Sequence, residues 1–252
     1  MISVILNGCN GVMGGVVTEL VKSEPGMEIV AGIDINTEEK YGYPVFKSLS
    51  ECSADADVII DFSSAKAMDS LFAGLKEKKI PTVLCSTGLS EEQLHTLDEL
   101  SHEVAILKSA NMSLGINLIF KVLKMISPML YAEGFDIEIL EKHHHRKIDA
   151  PSGTAIALAD AINESMDEKL KYTFDRSSVR QARDPKEIGF SAVRGGNIVG
   201  EHDIIFAGTD EVVTISHQAA SRAIFARGAV AAAKFLKGKP AGFYSMSDVV
   251  DE

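Results

Sequence analysis

The sequence predicts an α/β fold, with a doubly wound parallel sheet in its first half and a second α+β domain built on an open mixed sheet, on three observations. Short apolar runs alternate with amphipathic stretches over residues 1–113, the pattern of parallel strands joined by helices. A glycine-rich loop directly follows the first apolar run. After residue 170 strand-like runs instead succeed one another, at 188–193, 197–199, 203–206 and 211–217, which marks a mixed or antiparallel sheet.

The elements can be justified in order. Residues 2–6 form a short apolar strand that runs into Asn7-Gly8-Cys9-Asn10-Gly11-Val12-Met13-Gly14, and Val16, Val17, Leu20 and Val21 then give a helical face. Glycines in such a loop permit a tight turn and let the backbone approach a pyrophosphate at the helix start. A second strand over 27–33 ends at Asp34, twenty residues after Gly14, where an acid can take the hydroxyls of an adenosine ribose. Together these predict a Rossmann-type dinucleotide site. Ile35 and Asn36 follow Asp34 and the nearest cation is Lys40, so a 2′-phosphate lacks an obvious partner and NADH is favoured over NADPH. The alternation continues through strands at 57–62, 81–85 and 104–107 and helices at 65–79 and 91–102, with Ser90 placed to cap the latter. Ligands in such sheets lie beyond the strand C-termini, here at 61–64, 85–88 and 109–112.

From Ser113 to about Pro128 an apolar helix is expected, with Leu118, Ile119, Val122, Leu123, Ile126 and Leu130 facing a core. A final Ala-rich helix over 223–237 is expected to return to the first domain. The expected division is therefore 1–113 plus 223–252 for the dinucleotide-binding domain, and 114–222 for a substrate-binding and oligomerisation domain.

The richest stretch is 138–155, EILEKHHHRKIDAPSGTA. Lys142, His143, His144, His145, Arg146 and Lys147 are six successive side chains that are or can become cationic, in a chain of formal net charge −11. An anion is expected there. Strand alternation from Phe135 would put His143 and His145 on one side and His144 on the other, dividing proton transfer from ligand contact. Pro151 stops the strand, Ser152 can cap a helix, and the free N–H groups of Ser152, Gly153 and Thr154 suit a carboxylate. A metal is not expected, because Arg146 and Lys147 would repel a cation. A solvated basic edge strand would account for the charges but not for the Pro-Ser-Gly-Thr helix start.

Composition narrows the class. With 252 residues, 46% of them hydrophobic, and no long uncharged apolar run, a globular protein without a membrane span is expected. Cys9, Cys52 and Cys85 are too few and wrongly spaced for a disulfide framework or a metal knuckle, which fits reduced thiols in the cytoplasm. The N-terminus has no basic leader, so no signal peptide is expected. The acidic balance argues against nucleic acid.

The segment EKHHHRKIDAPSGTA resembles the signature of the 4-hydroxy-tetrahydrodipicolinate reductase (dihydrodipicolinate reductase) family. GCNGVMG, DFSSAKAM, CSTG, SANMSLGIN, VRGGNIVGEHDIIF, SHQAASRAIFARGA and GFYSMSDVV resemble further family segments in the family's order. The resemblance implies an NAD(P)H-dependent reduction of a small cyclic dicarboxylate in the diaminopimelate route to lysine. It implies His143 as proton donor, Lys147 as second proton donor or carboxylate partner, and His144, Ser152, Gly153 and Thr154 as substrate contacts. Gly8, Cys9, Asn10, Gly11, Val12 and Met13 would hold the pyrophosphate and Asp34 the ribose, while Cys85, Ser86, Thr87, Ser109, Ala110, Asn111 and Met112 would line the nicotinamide side. A homotetramer formed through the second domain is also implied. Three positions depart from the common pattern: Val12 stands where many relatives have Arg, Cys85 where they have Gly, and Met112 where they have Phe. The competing readings are another amino-acid-pathway dehydrogenase of this architecture, which would lack the His-rich signature, and a non-catalytic dinucleotide-binding redox sensor, which would not need it.

Overall fold

A computed structural model describes residues 1–252, and the chain divides into two compact units, 1–113 with 223–252, and 114–222. In the first unit β1 (Ile2–Asn7) leads to α1 (Val12–Ser23), β2 (Met27–Ile33), a two-residue β3 (Val45–Phe46) and β4 (Val58–Asp61). A single 3₁₀ turn then feeds α2 (Met68–Lys78), followed by β5 (Thr82–Leu84), α3 (Glu91–Ser101) and β6 (Ala105–Lys108). The second unit contains α4 (Leu114–Ala132), β7 (Asp136–His143), α5 (Gly153–Asn163), β8 (Lys171–Thr173), β9 (Glu187–Arg194), β10 (Glu201–Ala207) and β11 (Val212–Gln218). The chain returns to the first unit as α6 (Ala223–Leu236), β12 (Gly242–Tyr244) and α7 (Met246–Asp251).

The first sheet is wholly parallel, ordered β12-β6-β5-β4-β1-β2-β3. Its strands are buried on both faces, Val4, Ile5 and Leu6 alternating between two apolar clusters, which is why they read as continuous apolar runs rather than as alternating ones. Chain order reverses on either side of β1, so a crevice opens between the C-terminal ends of β1 and β4. Ser90 caps α3 in a reciprocal capping box with Gln93, as its position ahead of Glu91 predicts.

The second sheet is mixed, ordered β11-β10-β7-β9-β8, with β10 antiparallel to both neighbours and β7, β9 and β8 parallel. One face packs against α4 and α5 around Leu123, Ile137, Ile139, Leu158, Ile162, Ile204 and Phe206. On β7 the buried set is Ile137, Ile139, Glu141 and His143, so the strand aims a carboxylate and an imidazole from the same row as its core residues.

Several expectations need correction. No strand forms at 197–199, because a turn at Gly196-Asn197 precedes it and pairing resumes only at Glu201. The apolar helix does not stop at Pro128 but continues to Ala132, and the chain turns at Gly134, where the Phe135 N–H donates to the Leu130 carbonyl at 3.1 Å. Leu118 is 52% exposed rather than core, since the buried face of α4 runs through Ile116, Leu123 and Ser127. With 19 residues and a mean hydropathy of 1.3, α4 meets the length and composition of a membrane span. It nonetheless carries Lys121 and Lys124, and Leu123 is fully buried against the second sheet. β3, β12 and α7 are too short to show in the periodicity.

Candidate active site

In the first unit the loop after β1 makes a cradle. Gly8 has φ +78°, and a Cβ there would stand 2.7 Å from the Phe62 carbonyl oxygen, so only glycine lets the ends of β1 and β4 approach this closely. Helix α1 begins at Val12 with Gly11 as N-cap, without a capping side chain and without an acid in its first turn. Its N-terminal dipole therefore faces no negative charge from its own first turn. Beside it lies a cavity of about 540 Å³, lined by Gly8, Gly11, Asp34, Lys47, Phe62 and Lys66 among others. An uncapped helix start, a loop with glycine at 8 and 11 and a cavity of this size fit a dinucleotide.

The structure sorts the predicted cofactor residues. Asp34 borders the cavity, and its carboxylate accepts from the Asn10 N–H at 3.0 Å and the Asn36 N–H at 3.1 Å, so it also shapes the loop. Val12 and Met13 open α1, and Val12 is 76% exposed. The Cys9 side chain is fully buried in the core, where burial and then Asp34 push the thiol up to about 11, so its backbone is the part that can meet a ligand. Met112 is likewise buried in the core that includes α6, which removes its side chain from any ligand wall within this unit. The Ser86 hydroxyl is buried and donates to Asp61 at 2.6 Å, and the Ser109 hydroxyl accepts from the Met246 N–H at 3.0 Å. The Asn111 side chain accepts from the Ser113 N–H, while Thr87 and Ala110 are exposed and Cys85 is half-buried.

Sequence reasoning puts Asp61 in a ligand-side loop, at 61–64, but assigns it no role. Its fully buried carboxylate accepts from Asn7 Nδ2 at 2.8 Å, Ser63 Oγ at 2.6 Å and Ser86 Oγ at 2.6 Å, tying the ends of β1, β4 and β5 together below the cradle. Burial raises its pKa despite these donors. An acid in the middle of DVIIDFSS was the available signal.

In the second unit the predicted cation cluster is divided by the strand that carries it. β7 ends at His143, so the alternation does not extend to His144 and His145, which lie in a turn closed by the Lys147 N–H on the His144 carbonyl at 3.1 Å. Lys142 points to the opposite face and is neutralised by Glu201 at 3.1 Å and Asp203 at 3.4 Å. His145 is exposed, and Arg146 donates to Asn197. His143, His144 and Lys147 remain as the groups able to serve a ligand.

His143 is 9% exposed, and its Nδ1 lies 2.6 Å from Glu141 Oε2. Its Nε2 faces Gly200, where a Cβ would stand 3.0 Å away, so any side chain at 200 would crowd that nitrogen. Glu141, to which sequence reasoning assigns no role, is fully buried, and its two oxygens also accept from Arg194 Nη1 at 2.7 Å, Arg194 Nη2 at 2.6 Å and the Ser152 N–H at 3.0 Å. Burial acts to raise the Glu141 pKa, but the Arg194 and His143 hydrogen bonds outweigh it, so the carboxyl is held below its ordinary value and is ionised. The His144 pKa is lowered, first by burial and then by the cations of Arg146 and Arg222, which makes it a neutral hydrogen-bonding group.

The start of α5 follows its sequence signature in part. Ser152 is the N-cap, its Oγ accepting from the Ala155 N–H at 3.1 Å, a cap worth roughly 1 kcal/mol. Its own N–H is taken by Glu141, and its hydroxyl lies 3.0 Å from His202 Nε2, so Ser152 builds the site rather than offering free donors. Gly153 is exposed and Thr154 half-buried at the first two helical positions. Lys147 Nζ lies 2.8 Å from Asp149 Oδ1. Its hydrogen bond, with the Gly153 N–H, keeps the Asp149 carboxyl below its usual range even though burial opposes the shift. The end of this helix thus already holds one carboxylate beside one lysine. No group of three or more His, Cys, Asp and Glu side chains in the structure is arranged to hold a metal ion.

His202, 4% exposed and edge-on to His143 at 5.2 Å between ring centroids, is pushed down to about 4, chiefly by burial and then by His143. This predicts a stability window. The unfolded chain binds a proton near pH 6.5 that the folded chain refuses until about 4, so stability falls as pH drops through that interval, by about 3 kcal/mol at most, and is unaffected above it. Thermal melts should show His202→Gln losing less Tm than the parent across the window, and equal losses would contradict the buried neutral imidazole.

The chain is similar to known proteins along its whole length. The family model described as dihydrodipicolinate reductase, N-terminus, matches residues 2–112, and that described as dihydrodipicolinate reductase, C-terminus, matches residues 115–250. The 4-hydroxy-tetrahydrodipicolinate reductase of Caldanaerobacter subterraneus subsp. tengcongensis is 53% identical over 250 residues, covering 99% of this chain and 98% of its own. That of Clostridium novyi is 48% identical with the same coverage. A dipicolinate-bound dihydrodipicolinate reductase from Paenisporosarcina sp. TG-14 superposes with a TM-score of 0.79 at 24% identity, over 97% of each chain, and shows the shared fold. Two family models that between them cover both units, and relatives near half identity along the whole length, place this chain in the dihydrodipicolinate reductase family.

Proposed function

We propose that the chain performs its family's reaction, the NAD(P)H-dependent reduction of 4-hydroxy-tetrahydrodipicolinate to tetrahydrodipicolinate with loss of water, with His143 as proton donor and Lys147 assisting. The observation that carries the assignment of roles is His143 at the end of β7, with Nδ1 on the buried Glu141 carboxylate and Nε2 on the opposite edge of the ring, beside Gly200.

A reduced nicotinamide held in the first unit would supply the hydride that C4 of the cyclic imine requires once the 4-hydroxyl has left. The chain's residues do the rest. In the first unit the Gly8–Gly11 loop and the start of α1 hold the pyrophosphate, and Asp34 holds the ribose. In the second, the electron-rich carbon next to C4 must be protonated, and His143 presents Nε2 for that step. His144, kept neutral, contacts the substrate, and the start of α5 at Gly153 and Thr154, with Lys147, receives a carboxylate. The substrate's carboxylate takes over from Asp149 at Lys147.

NADH is the preferred donor, because Asp34 has no arginine behind it. NADPH is also accepted, since Lys47 and Lys66 border the same cavity and can face a 2′-phosphate. The protein acts in the cytoplasm as a homotetramer. Purified protein is tested by loss of reduced-nicotinamide absorbance with substrate generated in situ from pyruvate and aspartate semialdehyde by the preceding synthase. Substrate-dependent oxidation with either cofactor is expected, and its absence in a protein that still binds dinucleotide would overturn the activity. A kcat/KM more than about tenfold higher for NADPH would overturn the stated preference, a difference worth about 1.4 kcal/mol.

A further inference from the structure

We infer that Glu141 is a positioning residue for proton transfer: with Arg194 it fixes the tautomer of His143 and joins the proton donor to the substrate-binding start of α5. This rests on the reading of His143 as proton donor and adds how the chain prepares it.

The argument begins with valence. An ionised carboxylate can only accept hydrogen bonds. Glu141 has no exposed surface and sits among four donors: both Arg194 terminal nitrogens, the Ser152 N–H, and His143 Nδ1 at 2.6 Å. The Nδ1 position must therefore carry a proton, because a lone pair facing a buried carboxylate at that distance would be repelled. With Nδ1–H committed, the transferable proton of His143 can reside only on Nε2, the nitrogen facing Gly200.

The register of the sheet makes this pair possible. His143 and Arg194 are Cα partners on the parallel strands β7 and β9, and Glu141 lies two residues earlier on the same face as His143. The guanidinium is bidentate on Glu141, and its Nη2 also donates to the Asp149 carbonyl at 2.6 Å. Glu141 in turn holds the Ser152 N–H. One carboxylate and one guanidinium thus grip the strand end carrying His143 and both ends of the Asp149–Ser152 turn. A shift of either would misplace the donor relative to the carboxylate-binding residues, and small misplacements are costly in proton transfer.

The test uses the full-length protein. Two-bond ¹H–¹⁵N spectra of the histidine rings at alkaline pH, with His143 assigned by its loss in His143→Ala, should show the Nδ1–H tautomer. An Nε2–H tautomer in the unmutated protein would overturn the inference whatever any variant does. In Glu141→Gln, kcat should fall about 100-fold or more. The affinities for NADH and for pyridine-2,6-dicarboxylate should stay within about threefold, and the tautomer preference should be lost. If kcat, dicarboxylate affinity and Tm fell together while the ring kept its tautomer, Glu141 would be a structural residue only. Should Glu141→Gln not fold, the spectrum of the parent still decides. Full activity in His143→Ala would instead remove the proton-donor reading, an outcome distinct from the wrong tautomer.

Discussion

His143→Ala is expected to lower kcat by roughly 10²–10⁴-fold, the usual worth of a positioned general acid. The variant leaves Gly153, Thr154 and Lys147 in place, so binding of pyridine-2,6-dicarboxylate should change little. It also leaves the first unit untouched, so NADH affinity should not change. Loss of kcat with both affinities retained is the signature of a group that acts in the transition state rather than in ground-state binding. Some stability is lost as well, because Glu141 forfeits one of four donors while the Arg194 fork and the Ser152 N–H remain. A fall in kcat smaller than about tenfold would withdraw the proton-donor role.

Lys147→Ala should act differently. Lys147 is paired in the structure with a partly exposed carboxylate, Asp149, at 2.8 Å. A substrate carboxylate replacing Asp149 there would gain a charge-assisted bond of about 1.5–3 kcal/mol, so losing the ammonium should raise KM by roughly ten- to a hundredfold. If Lys147 also assists proton transfer, kcat falls with it, and steady-state kinetics at saturating NADH separates the two effects. Lys147→Met, which keeps the aliphatic stem, should behave as Lys147→Ala does, since the charge and not the packing is at stake. A Lys147→Ala enzyme with unchanged KM and kcat would remove the residue from the site.

Much of the fold was legible because its signals are local. The parallel sheet showed as apolar runs, the glycines at 8 and 11 lay between a strand and a helix, and Ser90 and Ser152 preceded the helices they cap. The motif 141–155 also pointed to an anion-binding helix start. The errors have physical causes. Leu118 and Leu123 are equally apolar in sequence, and only the sheet packed against α4 decides that one is exposed and the other buried. Strand propensity at 197–199 gave way to the turn at Gly196-Asn197.

For the site, the sequence by itself determined which chemistry is present: a glycine loop with an acid after the second strand, and a run of histidines and cations before a helix start. It could not determine how that run would be divided. The tertiary structure decided that Lys142 is neutralised on the other face of the sheet, that His143 turns inward, and that Ser152 spends its N–H on the site's own framework. It also selected Glu141 and Arg194, 53 residues apart in the chain, as the pair that holds His143. The reason is that pairing across parallel strands brings Arg194 to the level of His143, where its guanidinium keeps Glu141 ionised against the effect of burial, and a buried carboxylate out of reach of water needs a donor at every neighbour.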